Sequence, residues 1–167
     1  ELNALIELLL RSVVHMTHLY LPNMIAQNSG HIMNLGSTGS FVPWPNDAIY
    51  GAGKAFILRF SEALAAELRD TNVGVTCLCP GVVETAFLDN GSLDRAVLSR
   101  LTAMQPESVV RSGLRALRGR KWVRVPGLVN QLIVFFQRFV PRRLLTLVAE
   151  WATKPDAFSS KSKPSSQ

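Results

Sequence analysis

Gly30-His31-Ile32-Met33-Asn34-Leu35-Gly36-Ser37, and then Tyr50-Gly51-Ala52-Gly53-Lys54, is the stretch on which the reading of this chain turns. The first part is an apolar run and reads as a buried strand ending at Ser37. The second lies in a helical pattern, where a Tyr and a Lys four apart sit one turn above each other on the same face. A free phenol has a pKa of about 10 and is a poor proton-transfer group at neutral pH. A nearby ammonium favours the phenolate, and bringing Tyr50 near neutrality takes roughly 4 kcal/mol, at about 1.36 kcal/mol per pKa unit. A desolvated cleft with a fixed positive charge supplies energies of that order. Ser37, at the C-terminal end of the strand, is well placed to hold a carbonyl oxygen while the phenol gives or takes its proton.

Outward from this core, Asn46 or Asp47 can cap a helix running to roughly Arg69, with Phe56, Phe60 and Leu64 on a second stripe. Asp70-Thr71-Asn72 ends it, and residues 73–79 read as the next strand. Strand, long helix and strand make a right-handed parallel crossover. Beyond Gly81 the pattern loosens through residues 89–92, as a loop covering a substrate would. Pro106 and Glu107 then open a helix that leads to a short strand at 121–125. Upstream, the segment from Leu2 to about Ile25 is apolar nearly all round, which predicts a helix buried on more than one side. Arg11, His15 and His18 interrupt it and argue against a bilayer span. His15 and His18 share a face, but no carboxylate, Cys or third His stands at usable spacing, so no metal site is expected. Gly53-Lys54 is not a phosphate-binding loop of the Walker type, because Ala48 and Ala55 occupy positions where that motif needs Gly and Ser or Thr.

The combination resembles the short-chain dehydrogenase/reductase family, from about Leu8 to Phe87. Four pieces carry the likeness: Met33-Asn34-Leu35-Gly36-Ser37, Tyr50-x-x-x-Lys54, Phe60-Ser61-Glu62-Ala63-Leu64, and Cys79-Pro80-Gly81-Val82-Val83-Glu84-Thr85. The resemblance implies an α/β fold, the C-terminal part of a doubly wound parallel-sheet Rossmann domain with helices on both faces. It implies hydride transfer between NAD(P)(H) and a carbonyl or secondary alcohol. Tyr50 would be the acid/base, Ser37 would orient the substrate oxygen, and Lys54 would hold the nicotinamide ribose and tune Tyr50. Pro80 and Gly81 would let the backbone approach the nicotinamide, with Val83 and Thr85 serving its carboxamide; Trp44 would either line the substrate pocket or pack on the core as a loop aromatic. NADP is slightly favoured over NAD. Members of this kind closest to hydroxysteroid dehydrogenases are favoured by residues 15–24 and the Pro43-Trp44-Pro45 loop. The helices at 5–25 and 48–69 would pair in a homo-oligomer.

Three departures qualify the likeness. No Gly-rich dinucleotide turn is present, so the chain reads as a C-terminal portion, with the first strands of the fold upstream of it. Many relatives carry an Asn in the first helix that completes a proton relay; counting back from Pro22, that position is Leu9. Gly51 and Gly53 stand where relatives have side chains, although glycine costs up to about 1 kcal/mol in a helix interior. The alternative to an enzyme is therefore an inactive fragment or pseudoenzyme serving as a dimerisation or scaffold module.

Hydrophobic residues make up 47% of the chain and charged ones 18%, which suits a globular domain. Charge is unevenly spread: residues 1–110 hold six Lys/Arg and ten Asp/Glu, while residues 111–167 hold twelve and two. The basic half keeps the protein soluble or meets an anionic membrane surface. Nucleic acid is disfavoured, since aromatic groups are not interleaved with the cations. Cys77 and Cys79 alternate onto one face of their strand and are expected buried and reduced, as in the cytoplasm. Residues 1–152 form one domain. Within it, 128–150 is a second apolar stretch divided by Pro141 and Arg142-Arg143, an apolar lid over a lipophilic substrate or an interfacial pair of helices. Residues 153–167 read as a disordered tail.

Overall fold

A computed structural model describes residues 2–83 and 102–153. Thr85, the loop at 89–92 and the tail from Lys154 lie outside the described residues.

Three parallel strands form one sheet in the order β1-β2-β3. They are β1 (Gly30–Leu35), β2 (Val73–Leu78) and β3 (Val123–Arg124). β1 and β2 run in register from Gly30 opposite Val73 to Leu35 opposite Leu78, and β2 meets β3 at Cys77–Val123 and Leu78–Arg124. Among the described residues five helices surround them: α1 (Leu2–Ala26), then α2 (Ala48–Glu67), α3 (Pro106–Arg118), α4 (Leu128–Phe136) and α5 (Arg142–Thr153).

Alternation along β2 sorts the helices into layers. Val73, Val75 and Cys77 face α1 and α2, where Ile57, Leu58, Leu64, Ala65 and Leu68 are buried against them. Leu58 is fully buried and contributes about 1.5–3 kcal/mol. Leu78, on the opposite face, meets α3 at Gly113. The result is helices on both sides of a parallel sheet, as the sequence predicts. Asn34 is the polar member of the core on β1; its amide donates to Ser61 Oγ at 2.9 Å, and Ser61 donates to Ile57 O at 2.7 Å. Cys77 and Cys79 are free and fully buried, with their Sγ atoms 3.6 Å apart. The hydrogen bond to Cys77, together with burial, pushes the Cys79 thiol up.

Two expectations change. α1 is not buried on several sides. It docks through Leu9, Leu5, Leu10 and Val13, with Leu21 and Met24 further along, while Leu2, Leu8, Leu19, Tyr20 and Ile25 stay exposed. An all-round apolar helix shows how much surface could be covered, but not whether the described chain covers it. α1 is also long and apolar enough to cross a membrane by length and composition. Second, β1 is not the buried strand ending at Ser37 that the apolar run suggests: it stops at Leu35, and His31, Met33 and Leu35 are exposed along one face.

α1 contains a π-helical turn, Glu7–Arg11, with Ser12 Oγ bonded back to Leu8 O. The apolar stretch after β3 breaks near Pro141, as predicted, into α4, a short 3-10 turn (Gln137–Phe139) and α5.

Candidate active site

Beyond β1 the chain stays tied to the segment that follows β2. Gly36 N donates to Leu78 O and Thr38 N to Pro80 O, both at 2.8 Å, which holds Ser37 beside the Pro80 turn. Ser37 caps the 3-10 turn Thr38–Phe41: Gly39 N donates to Ser37 Oγ and Ser37 N donates to Ser40 Oγ, each at 3.0 Å. The hydroxyl oxygen thus accepts from the backbone, and its proton is left to donate to a ligand oxygen.

Asp47, rather than Asn46, caps α2, accepting from Tyr50 N at 3.3 Å. Asn46 takes the left-handed conformation at φ 70, which Asn tolerates, and so turns the chain into the helix. Tyr50 and Lys54 then stand on successive turns, with Lys54 Nζ 5.7 Å from the Tyr50 ring centroid. The same ammonium donates to Leu35 O at 2.8 Å. Lys54 therefore ties α2 to the last residue of β1, two positions before Ser37. Burial lowers its pKa from the usual lysine value, and the nearby Cys77 and Cys79 oppose that shift. Ser37, Tyr50 and Lys54 are gathered at the carboxyl end of β1, where ligands of open α/β sheets bind.

The two glycines of α2 have specific partners. A Cβ on Gly51 would stand 2.5 Å from Trp44 Cβ, and one on Gly53 would stand 2.7 Å from Leu9 Cδ1. Trp44, half-buried, packs over Gly39 and Gly51 and roofs the start of the Tyr50 helix. Leu9, only 7% exposed, sits in the core with Ile57, Leu58, Cys77 and Cys79. At this position the chain offers hydrocarbon and no hydrogen-bonding group.

Pro80 is buried, and Val83 pairs with Met104 in a parallel bridge, supported by Met104 N donating to Val82 O at 2.9 Å. The side of Gly81 that lacks a Cβ is filled by Asn130, whose Oδ1 lies 2.7 Å from where that Cβ would be. Asn130 is a residue that sequence reasoning missed. It is 2% exposed, and its Nδ2 donates to Pro126 O at 3.0 Å and Thr102 O at 3.4 Å. Both partners are acceptors, so the amide orientation is fixed, and Oδ1 has no hydrogen-bond partner among the described residues. The available signal was the polar pair Asn130-Gln131 in the otherwise apolar run Leu128-Val129-Asn130-Gln131-Leu132-Ile133-Val134.

The chain belongs to the short chain dehydrogenase family, whose family model matches residues 1–96. Over 115 residues it is 36% identical to an uncharacterised short-chain type dehydrogenase/reductase of Sinorhizobium fredii, covering 66% of this chain and 46% of that one. Over 106 residues it is 42% identical to the NADP-dependent 3-hydroxy acid dehydrogenase of Shigella flexneri, covering 59% of this chain and 42% of the relative. A solved structure from a study of 7beta-hydroxysteroid dehydrogenase stereoselectivity superposes with a TM-score of 0.77 at 26% identity, covering 86% of this chain and 56% of that one. The chain spans about half the length of the curated relatives it matches.

Proposed function

We propose that this chain carries the catalytic and nicotinamide-side half of an oxidoreductase that moves hydride between NAD(P)(H) and a carbonyl or secondary alcohol. The observation that carries this reading is the Lys54 ammonium, fixed between Leu35 O at 2.8 Å and the Tyr50 ring at 5.7 Å. The residues fit the nicotinamide end of a dinucleotide: an ammonium has three donors, and Lys54 spends one on Leu35 O, leaving two for ribose hydroxyls. When bound, the dinucleotide supplies or takes up the hydride.

Tyr50 gives its phenolic proton to the substrate oxygen or takes one from it. Ser37 donates a hydrogen bond to the same oxygen, using the proton that its cap leaves unspent. Lys54 keeps its charge 5.7 Å from the Tyr50 ring and holds the ribose. Pro80, Gly81, Val83 and Thr85 serve the carboxamide side, and Trp44 borders the substrate. NADP is the preferred cofactor, supported by the NADP-dependent relative. The substrate is lipophilic, steroid-like or fatty, supported by the likeness to the hydroxysteroid dehydrogenase structure and by the apolar α4. The exposed apolar side of α1 supports pairing with a second copy through α1 and α2. The enzyme works in the cytoplasm. The second reading, a scaffold module without turnover, rests on Leu9, which cannot relay a proton.

Nicotinamide binding and turnover of the protein test both readings. Tyr50→Phe is expected to abolish turnover and largely spare cofactor affinity, because only the proton-transfer oxygen is lost. Lys54→Ala is expected to damage both. Equal losses of cofactor affinity in the two variants overturn the assigned roles, and a wild-type protein that binds cofactor without turnover favours the scaffold.

A further inference from the structure

α4 and α5 turn large apolar side chains outward. A surface helix turns its apolar stripe inward and its charges outward. α4 has no charged residue at all; Leu128, Val129, Leu132, Phe135 and Phe136 are exposed, while Asn130 and Val134 are buried. α5 does the same: Leu144, Leu147, Val148 and Trp151 are exposed, the last at 77%, while Leu145, Thr146, Ala149 and Glu150 are half-buried. Between them Phe139 is 73% exposed. Phe135 packs edge-on against both Phe136 and Phe139, with centroids 5.4 and 5.7 Å away, so the aromatic rings form one outward-facing cluster.

Cations border this surface. Arg138, Arg142 and Arg143 are exposed and make no ion pair among the described residues. Arg124 and Arg138 line a cleft of about 270 Å³ in which Phe135 is a wall. We infer that the outward faces of α4 and α5 form a shallow docking surface for an anionic phospholipid bilayer, with the rings and leucines among the acyl chains and the arginines on the phosphates.

Length sets the mode of contact. α4 has 9 residues and α5 has 12, against the roughly 20 that a spanning helix needs, so both lie in the interface plane. Charge favours lipid over a second copy of the chain. A two-fold interface through this face would bring the two sets of arginines together, whereas anionic headgroups neutralise them. The inference does not depend on the oxidoreductase reading, since vesicle binding is measured with neither cofactor nor turnover.

The test is co-sedimentation of the protein with vesicles of equimolar phosphatidylcholine and phosphatidylglycerol, and with phosphatidylcholine alone, at low and high salt. Binding to the anionic vesicles that weakens with salt is expected, with little binding to phosphatidylcholine alone. Arg138→Gln/Arg142→Gln/Arg143→Gln is expected to weaken anionic binding by about fivefold per arginine. Phe135→Ser/Phe139→Ser/Trp151→Ser should abolish it. Should the aromatic variant misfold, quenching of wild-type tryptophan fluorescence by brominated lipid, lost in Trp151→Phe, reads the same contact. Protein that stays in the supernatant with both vesicles overturns the inference, as does binding that neither triple variant changes. A dimer in sedimentation velocity that the aromatic variant dissolves, without vesicle binding, also overturns it and makes the face an interface between copies.

Discussion

The contact between Leu9 and Gly53 can be measured as a double-mutant cycle. A methyl group on Gly53 would stand 2.7 Å from Leu9 Cδ1 and 3.0 Å from Leu9 Cβ. The first atom can swing away; the second is fixed by the backbone of α1. Gly53→Ala gains about 1 kcal/mol of helix propensity but incurs about 1–3 kcal/mol of overpacking. The net loss is therefore expected at about 1 kcal/mol. Leu9→Ala empties a core site and should lose about 3 kcal/mol, within the usual 2–5. In the double variant Cδ1 is gone and only the 3.0 Å contact with Cβ remains, which a shift of a few tenths of an ångström into the vacated space relieves, so most of the clash vanishes and the propensity gain remains. The pair should be only about 2 kcal/mol less stable than wild type, where simple addition predicts about 4, a coupling well above the 0.3–0.5 kcal/mol of independent sites. Urea unfolding followed by circular dichroism, with a constant dependence on denaturant, measures all four corners. Additive losses would refute the claim that Gly53 exists to admit Leu9.

Leu9→Asn should destabilise, because it loses about 1.5–3 kcal/mol of leucine burial and leaves an amide unsatisfied at about 1–3 kcal/mol more. A faster enzyme with an unchanged melting temperature would contradict the packing role. Lys54 carries a lowered pKa in the folded state against 10.5 for the ordinary side chain, so between those values the unfolded chain binds more protons. Stability should therefore gain from Lys54 as pH rises through that window and be indifferent to it at lower pH. Lys54→Met should remove this slope, which denaturant midpoints measured from neutral to alkaline pH will show. Ser61→Ala strips the partner from the half-buried Asn34 amide and should cost about 0.5–1.5 kcal/mol; adding Asn34→Leu should recover much of it, and a deeper loss in the pair would sink the account.

What the sequence revealed and what it hid divide along physical lines. β1, β2 and α2 were legible because an apolar run, a capping Asp47 and a long periodic helix are local signals. The gathering of Tyr50 and Lys54 was legible for the same reason, since helical spacing alone places them on one face. Ser37 sat two residues beyond the strand because the 3-10 turn it caps, not the ladder, fixes its backbone. Gly51 and Gly53 looked like defects until their partners, Trp44 and Leu9, were in view; both contacts bring together segments that the sequence does not place side by side. Asn130 stayed hidden because its acceptors, Thr102 and Pro126, come together only in the fold. The outward face of α1 was misjudged because composition cannot tell a covered apolar surface from an open one.

The π-turn at Glu7–Arg11 makes α1 a helix with two phases. A π-turn takes in one residue more than an α-turn, so everything before Glu7 is rotated by about a hundred degrees from where an unbroken helix would put it. Counting along the sequence is then a false ruler across this point: the residue that meets α2 is chosen by the wide turn. The outcome is visible in neighbours, with Leu8 at 65% exposure and Leu9 at 7%. Removing a single leucine from Leu8-Leu9-Leu10 would therefore let the wide turn close to an ordinary α-turn while the coil before Glu7 keeps its facing, so which leucine Gly53 admits is set by the turn and not by the count.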